Sequence, residues 1–492
     1  MSQPSRGPGE FFSFKDRYRI LHLSWLAFFV TFIVWFNHAP LMAAIRDTFR
    51  LSNEQVGAIL ILNVALTIPA RILVGMLVDR LGPRTSFSAI LAASGVLCLA
   101  FAASTSFEML AVTRFLLGLS GAGFVVGIRM ISEWFPARQM GLAQGIYAGL
   151  GNFGSAAAAV LMPALAALLA SYASWRAAVA LTGVIALVYG AVYYLTVTDT
   201  PKGATYFKPQ KSGAMEVTSI GDMALYALVQ LPIYASLGVL AWQLGFGKLR
   251  LLSEAATIVA WLVLAGLYAW QAAQIWRVNR DVVRQPVPPL HRYRFAQVAI
   301  LCLMYFVSFG GELAVVSMLP LYVKDTFQLS LQDAGIVAGC FAGTAFVTRP
   351  IGGWMSDRIG RKPALLMVLV GMVAGYCAMA FMDASRGLAF ALPAMLLTSI
   401  FVNSANGTVY AVLPIIKRRL TGQIAGLAGA YGNVGSVLFL LVFSVGGASA
   451  LFLSIAACAG ATLVLVLAFF REPEGAIAEV MPDGAVMMIS VR

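Results

Sequence analysis

Long apolar runs, separated by short polar segments that carry most of the cations, recur along almost the whole chain. About twenty residues, at a helical rise of about 1.5 Å each, cross a hydrocarbon core of about 30 Å. Because backbone amides in lipid must bond within their own segment, we expect each run to be a membrane-spanning helix. The first six predicted helices cover 22–43, 55–78, 86–105, 109–133, 140–170 and 175–197, and the last six cover 295–323, 332–355, 364–382, 388–415, 421–446 and 449–470. The predicted fold class is an all-α polytopic membrane protein.

Two further apolar runs, 222–243 and 254–275, lie between the two sets of six. Their even number leaves both sets in the same orientation and gives fourteen crossings if both runs span the membrane. The alternative is that one or both lie in the membrane interface. The predicted domains are an N-terminal six-helix bundle (1–200), a central linker with the two additional segments (201–293), a C-terminal six-helix bundle (294–471) and a cytoplasmic tail (472–492).

The composition supports this reading, with 60% hydrophobic and 11% charged residues in 492; a soluble domain carries about 25% charged residues. The net charge of +13 comes from clusters between apolar runs, which is the pattern of the positive-inside rule and not of a nucleic-acid surface. We therefore expect a multi-pass protein of the cell inner (plasma) membrane, with both termini cytoplasmic, no cleavable signal before the first helix, and a monomeric state. The five cysteines lack metal-site or disulfide spacing, and no enzyme, cofactor or metal chemistry is predicted.

Two unrelated motifs each occur twice. Residues 75–84 (GMLVDRLGPR) and 353–362 (GWMSDRIGRK) share G-x-x-x-D-R-x-G-x-[RK] and start 278 residues apart. Residues 141–155 (GLAQGIYAGLGNFGS) and 422–436 (GQIAGLAGAYGNVGS) share a G-x-x-x-G run that ends in G-N-x-G-S, 281 residues apart. Two motifs at nearly one offset predict a duplicated six-helix unit, arranged as parallel repeats about an axis along the membrane normal.

Arg71 and Arg349 are the residues that most need an explanation. Each lies eight residues before the aspartate of its repeated loop, at equivalent depth in the membrane. An arginine at the centre of a membrane helix costs about 2.5–3.5 kcal/mol on insertion scales, and neither has a carboxylate within a turn on its own helix. A guanidinium group offers a planar fork of donors that suits a planar oxyanion. We predict an anion site between them; the alternative is that each snorkels to the surface or pairs with another helix.

The repeated loop resembles the signature of the major facilitator superfamily, which implies the major facilitator fold. The runs ending G-N-F-G-S and G-N-V-G-S resemble the nitrate signatures of its nitrate/nitrite porter family, the NarK and NrtP group, as does W-F-N-H-A-P-L in the first helix. The central insertion and the tail resemble the cyanobacterial NrtP-type permeases. This resemblance implies a secondary active transporter that imports nitrate, and also nitrite, for nitrate assimilation by alternating access. It leaves symport with protons and nitrate/nitrite exchange both open. The rival interpretation is a facilitator carrier for another small anion such as an organic phosphate.

Several further residues are candidates for the substrate site. Asn152 and Asn433 close the two glycine runs, where an amide could donate to substrate oxygen or simply bond between helices. The resemblance favours Asn152 of the two and implies arginines at positions 71 and 349. It also implies aromatic walls, for which the candidates are Phe32, Phe36, Tyr305, Phe306 and Phe309, with Tyr305 preferred because its hydroxyl can donate.

The acids fall into two groups. Asp79 and Asp357, with Arg80 and Arg358 beside them, are predicted to gate the transporter by holding helix ends and cations at the cytoplasmic face while the outside is open. Glu312 is the main acid predicted deep in the membrane. It either takes up a proton and couples transport, or pairs with a basic residue and holds helices together. Uptake against a negative interior needs co-transported cations, at about 2.3 kcal/mol per charge per 100 mV.

Overall fold

Twelve helices in the described part of the chain are long and apolar enough to cross a membrane. The structure is a computed structural model that describes residues 13–38, 41–52, 55, 59, 62–169, 175–206, 213–246, 252–284, 287, 292–329, 331–472, 476–480 and 486–490. Both central runs are among the twelve. Helices also occupy the positions predicted for 140–170 and 332–355, so the all-helical membrane fold is confirmed.

We label the membrane helices in chain order. They are α1 Asp16–Phe36, α2 Leu62–Leu81, α3 Pro83–Ala102, α4 Phe107–Trp134, α5 Ala137–Leu168, α6 Trp175–Thr196, α7 Ile220–Gly245, α8 Glu254–Asn279, α9 Phe295–Phe327, α10 Leu331–Gly343 with Ala345–Ile359, α11 Arg361–Ala380, α12 Gly387–Ile416, α13 Arg418–Phe443 and α14 Gly446–Phe469. The helical segment runs from Thr421 to Phe469 and is kinked at Gly447, near the start of α14, where φ is 74°.

Three smaller elements were not predicted. The first predicted helix, 22–43, in fact covers Asp16–Phe36. A separate short helix, Met42–Phe49, follows, and another, Asp281–Arg284, follows α8. The tail contains an antiparallel hairpin of strands β1 (Ala476–Val480) and β2 (Val486–Ser490).

The repeated loop turns at a glycine in both halves. Gly82 has a φ of 86° and Gly360 a φ of 99°, a conformation that glycine adopts without the steric cost other residues incur. An acid from the end of each half then caps the next helix: Asp199 accepts from the backbone N–H of Arg84 at 2.7 Å, and Glu472 from that of Arg361 at 2.6 Å. The loop sequence thus sets the same turn at the start of α3 and α11.

The two halves meet along two seams of small residues. α2 packs on α13 and α10 packs on α5, with Gly75 against Gly422 and Gly141 against Gly353. A β-carbon on any of these glycines would collide with the facing backbone, so the helices approach more closely than side chains would allow. Both seams run alongside the turns that carry the two buried arginines.

Candidate functional site

Arg71 lies fully buried on α2, among backbone carbonyls from two other helices. Its Nε donates to the carbonyl of Gly121 at 3.2 Å and its Nη1 to that of Gly429 at 3.0 Å. Gly121 belongs to a 3₁₀ stretch, Gly118–Ala122, inside α4; tightening of this kind turns carbonyls away from the regular helical ladder. Nη2 of Arg71 has no partner at hydrogen-bond distance among the residues that the structure describes, although the Tyr305 hydroxyl lies beside this guanidinium group.

Arg349 is equally buried on α10, but its partners are side chains. Its Nε donates to Asn403 Oδ1 at 3.1 Å, and its Nη2 contacts both carboxylate oxygens of Glu312, at 2.8 and 2.6 Å. Asn406 donates to the same carboxylate at 2.6 Å. Nη1 of Arg349 is left without a partner in the described structure. Glu312 thus pairs with a basic residue, an arrangement that the sequence left open.

One aromatic ring lies beside both guanidinium groups. The Cζ of Arg71 is 5.1 Å and that of Arg349 5.9 Å from the centroid of Phe309, within the range of a cation–π contact. Tyr305 stacks on Phe309 at 4.8 Å. Phe309 therefore lies beside both guanidinium groups, although Arg71 and Arg349 belong to different repeats.

Other aromatic side chains complete the wall. Tyr410 meets Tyr305 edge-on at 4.8 Å, and Phe124 lies 5.6 Å from the Arg71 guanidinium. Of the remaining candidates, Phe306 packs on Phe439, and Phe36 on Phe32 and Trp35. The structure therefore brings Tyr305 and Phe309 to the arginines, but not Phe36 or Phe306.

The two asparagines bond to their own helices. Asn152 Nδ2 donates to the carbonyl of Ala148 at 2.7 Å. Asn433 Nδ2 donates at 3.1 Å to the carbonyl of Gly429, which also accepts from Arg71. Asn433 Oδ1 is buried and has no partner in the described part of the chain. Asn433 therefore helps to fix the carbonyl that orients Arg71.

Both loop aspartates lie against a helix start of the opposite half. Asp79 accepts from the backbone N–H groups of Gly422 and Gln423, each at 2.9 Å, while Asp357 accepts from Gly141 and Leu142 at 3.1 and 3.0 Å. A carboxylate at a helix N-terminus is stabilised by the helix dipole. We call this end of the bundle the motif end. Arg80 and Arg358 are exposed there, and Arg358 lies over the ring of Trp354.

The arginines that pair with Asp79 and Asp357 are not the predicted Arg80 and Arg358. Asp357 pairs with Arg361, and Asp79 lies 3.3 Å from Arg129, which also pairs with Glu133. Arg129 donates to the carbonyl of Arg418 across the halves. Tyr206, from the segment after α6, covers this cluster.

Tyr206 joins that segment to the cluster by two hydrogen bonds. Its hydroxyl donates to the carbonyl of Val78 at 2.6 Å and accepts from Arg129 Nε at 3.2 Å. Burial raises the pKa of this hydroxyl, so it stays protonated and can donate. Nothing in the sequence singled out Tyr206, because its partners are far away in the chain.

The charge balance of the buried site limits what it can hold. Arg71 and Arg349 supply two positive charges and Glu312 one negative charge, which leaves one positive charge in a water-poor region. A buried unpaired charge or donor is costly. The two arginines and their one carboxylate partner therefore leave a positive charge uncompensated at this site.

Comparison with known proteins defines the class. A sequence model of the Major Facilitator Superfamily matches residues 24–440 and also 301–481. Among solved structures, the human organic anion transporter MFSD10 (TETRAN) matches with a TM-score of 0.63 at 15% identity, covering 92% of this chain and 100% of that one. The fold is that of a facilitator-type membrane transporter.

Closer relatives narrow the family. The "Nitrate/nitrite transporter NrtP" of Nostoc punctiforme is 42% identical over 474 residues, covering 95% of each chain. The protein of that name from Picosynechococcus sp. is 42% identical over 514 residues, covering 96% of each. The "Probable nitrate/nitrite antiporter NarK1" of Thermus thermophilus is 27% identical over 448 residues, covering 87% of this chain and 85% of that one. The chain belongs to the nitrate/nitrite porter family of the major facilitator superfamily, a family of transporters and not of enzymes.

Proposed function

We propose that this protein imports nitrate, and also nitrite, by binding the anion between Arg71 and Arg349. The observation that carries the proposal is the pair of buried guanidinium groups beside Phe309, each with one nitrogen lacking a partner in the described residues. The names of the relatives supply the substrate. While Glu312 is ionised, the site offers a single positive charge, which the second negative charge of an organic phosphate would exceed.

The motif end supports alternating access. Asp79, Asp357 and Arg129 join the two halves there through contacts with helix starts and a carbonyl of the opposite half. We assign this closed end, and both chain termini, to the cytoplasmic side, since the basic loops adjoin it. In this scheme the domains at 1–200 and 294–471 rock against each other, and the α2–α13 and α5–α10 seams part when the inside opens. The functional unit is one chain.

We propose that Glu312 carries the coupling proton. In the structure its carboxylate occupies Arg349 Nη2, so an anion on Nη1 places two negative charges beside one guanidinium. Protonation of Glu312 removes one of them. Nitrate and proton then favour each other's binding, and linkage makes the effect reciprocal. The other polar or titratable groups facing Glu312 are Asn406, Tyr376 and Tyr305.

Exchange of nitrate for nitrite is the second candidate. Two arginines can bind an anion without a proton, and the Thermus relative carries the name of an antiporter. Under exchange, Glu312 would stay ionised and serve only to orient Arg349. The two schemes differ in whether nitrate can be accumulated with no exchangeable anion inside.

Binding and uptake of isotope-labelled nitrate by the purified protein in proteoliposomes test both parts. Arg71→Lys and Arg349→Lys keep the charge but remove the fork; a charge-assisted hydrogen bond contributes about 1.5–3 kcal/mol, so each should weaken nitrate binding at least about tenfold. Arg386→Lys, at an exposed arginine, is the matched control. Nitrate affinity equal to that of the wild type in both buried variants would exclude the site.

Glu312→Gln separates the transport modes. Proton coupling predicts that this variant loses accumulation driven by an imposed proton gradient but still exchanges nitrate for internal nitrite. If the proton gradient still drives accumulation in Glu312→Gln, Glu312 does not carry the coupling proton. Uptake that strictly requires internal nitrite in the wild type would establish exchange.

A further inference from the structure

The inserted helices α7 and α8 are attached to the C-terminal half. Tyr431 of α13 donates to the carbonyl of Val229 on α7 at 2.7 Å. The backbone N–H of Phe295, at the start of α9, donates to Asp222 at 3.0 Å, and the Phe295 ring packs on Tyr226 at 4.9 Å. The insertion is therefore expected to move with α9 and α13 when the two halves rock.

The other side of the insertion faces the N-terminal half across a cavity of about 630 Å³. We call it the lateral groove: α2 and α4 form one wall, and α7 and α8 the other. Its walls remain open, since Leu73 of α2 is 55% exposed, Val112 of α4 58%, and Val263 and Trp270 of α8 53% and 55%. All four helices are long and apolar enough to cross a membrane, so in a bilayer these side chains would face hydrocarbon.

Water cannot fill this volume. At about 30 Å³ per molecule, the lateral groove would hold about twenty waters, each needing polar partners. The lining side chains with a polar atom are Gln230, Tyr234, Trp270 and Gln271. Gln271 is 5% exposed and lies beside the Tyr226 hydroxyl, and its Nε2 has no partner at hydrogen-bond distance within the described residues. The lining is thus apolar, with one buried donor unused.

That donor lies near one end of the lateral groove. Gln271 comes eight residues, or about two helical turns, before Asn279, the last residue of α8. Asn279 bonds to the segment before α7 through Met215 and Val217, on the side of the motif end. A lipid whose tail follows the lateral groove would bring its ester carbonyl toward Gln271 from this side.

We infer that the lateral groove is a lipid site, in which one acyl chain of a bilayer lipid lies between α2 and the α7–α8 hairpin with its ester oxygen near Gln271. The lipid forms a fluid layer where the N-terminal half slides past the insertion. It bears on the transport site because α2 carries Arg71 on its inner face and Leu73, two residues later, on the groove face. The lipid therefore lies between the insertion and α2, the helix that carries Arg71, and allows these two surfaces to slide past each other.

Native mass spectrometry of the full-length protein, purified from membranes and exposed to phosphatidylglycerol, measures the occupancy. The groove-filling variant is Val263→Trp. The matched control is Val96→Trp on α3, at a valine that is similarly exposed, at 58%, and lies outside the lateral groove. We expect wild type and Val96→Trp to retain one lipid through delipidation, and Val263→Trp to lose at least about tenfold in occupancy. Equal retention in the two tryptophan variants would overturn the site.

Gln271→Leu removes the proposed hydrogen bond to the lipid ester without filling the lateral groove. It therefore tests the site even if Val263→Trp does not fold. It should lower phosphatidylglycerol retention but not retention of a single-chain alkyl detergent that lacks an ester. Retention unchanged from wild type would remove Gln271 from the site. In proteoliposomes, Val263→Trp should slow nitrate uptake while equilibrium nitrate binding stays as in the wild type. If Val263→Trp loses the lipid but its nitrate uptake is unchanged, the lipid has no role in transport. The measurements of lipid retention do not depend on which anion the protein carries.

Discussion

Gly145→Ala is the substitution whose effect can be worked out most directly from the structure. Gly145 lies on α5, where the seam with α10 passes Arg349. A β-carbon there would stand 2.6 Å from the Cα of Pro350 and 2.7 Å from the carbonyl oxygen of Arg349. Favourable contact needs about 3.5 Å, so α5 and α10 must separate by about 1 Å at the level of Arg349.

The expected cost follows from that overlap. Both partners are backbone atoms and cannot rotate away, and overpacking of this kind costs about 1–3 kcal/mol. If the seam is closed only while the motif end is closed, the whole cost falls on that state. The equilibrium should then move toward the inward-open state by about 5- to 150-fold. Nitrate affinity should fall too, because Arg349 moves with its carbonyl.

Two further glycines make the experiment a graded series. At Gly149, one turn along α5, the nearest atom would be 3.1 Å away, and at Gly339 on α10 nothing lies within 4 Å. Every variant gains the same helix propensity of about 1 kcal/mol, so only the contact differs. Spin-label distances across the motif end should show opening in the order Gly145→Ala, Gly149→Ala, Gly339→Ala. An opening no larger in Gly145→Ala than in Gly339→Ala would refute the seam as a gate.

Three other outcomes are expected. Nitrate affinity of the wild type should rise as the pH falls, because protonation of Glu312 frees Arg349. Titration calorimetry should find no such pH dependence in Glu312→Gln. If the dependence persists in that variant, a group other than Glu312 causes it. Tyr206→Phe should weaken closure of the motif end by about 1 kcal/mol for each hydrogen bond lost, seen as faster thiol labelling from the cytoplasmic side, whereas unchanged labelling would leave Tyr206 outside the gate. Glu472→Ala should remove the cap of α11 and lower the free energy of unfolding by about 1 kcal/mol with transport intact; a loss no greater than in Asp47→Ala, at an exposed acid, would contradict the capping role.

The sequence was most informative where the duplication could be read. The loop motif and the glycine runs predicted two equivalent halves, and their common offset predicted that Arg71 and Arg349 occupy matching depths. The repeat could be read without knowledge of any contact, because it is a property of the chain alone. The breaks in α2 at Leu66 and in α10 at Thr344, five residues before each arginine, follow the same symmetry but were not predicted from the sequence.

Contacts between distant helices could not be predicted in the same way. Glu312 and Arg349 meet although they lie on different helices, and the sequence alone allowed the acid to be paired or free. The sequence could not distinguish Phe309 from Phe306. The rotation of α9 places the Phe309 ring beside the two guanidinium groups and the Phe306 ring against Phe439. No sequence pattern indicates the role of Asn406, because that role is to donate a hydrogen bond from a third helix to the carboxylate of Glu312.

The aspartates of the motif end have a consequence for the origin of the fold. Asp79 receives amides from the start of α13, and its counterpart Asp357 receives amides from the start of α5, the counterpart of α13. Such reciprocal contacts define an isologous interface, the kind that two identical subunits form about a twofold axis. A six-helix unit bearing a single copy of both motifs would leave its carboxylate and its helix start unsatisfied until it met a second copy. The duplicated chain thus preserves, within one polypeptide, the complementary surfaces of a homodimer.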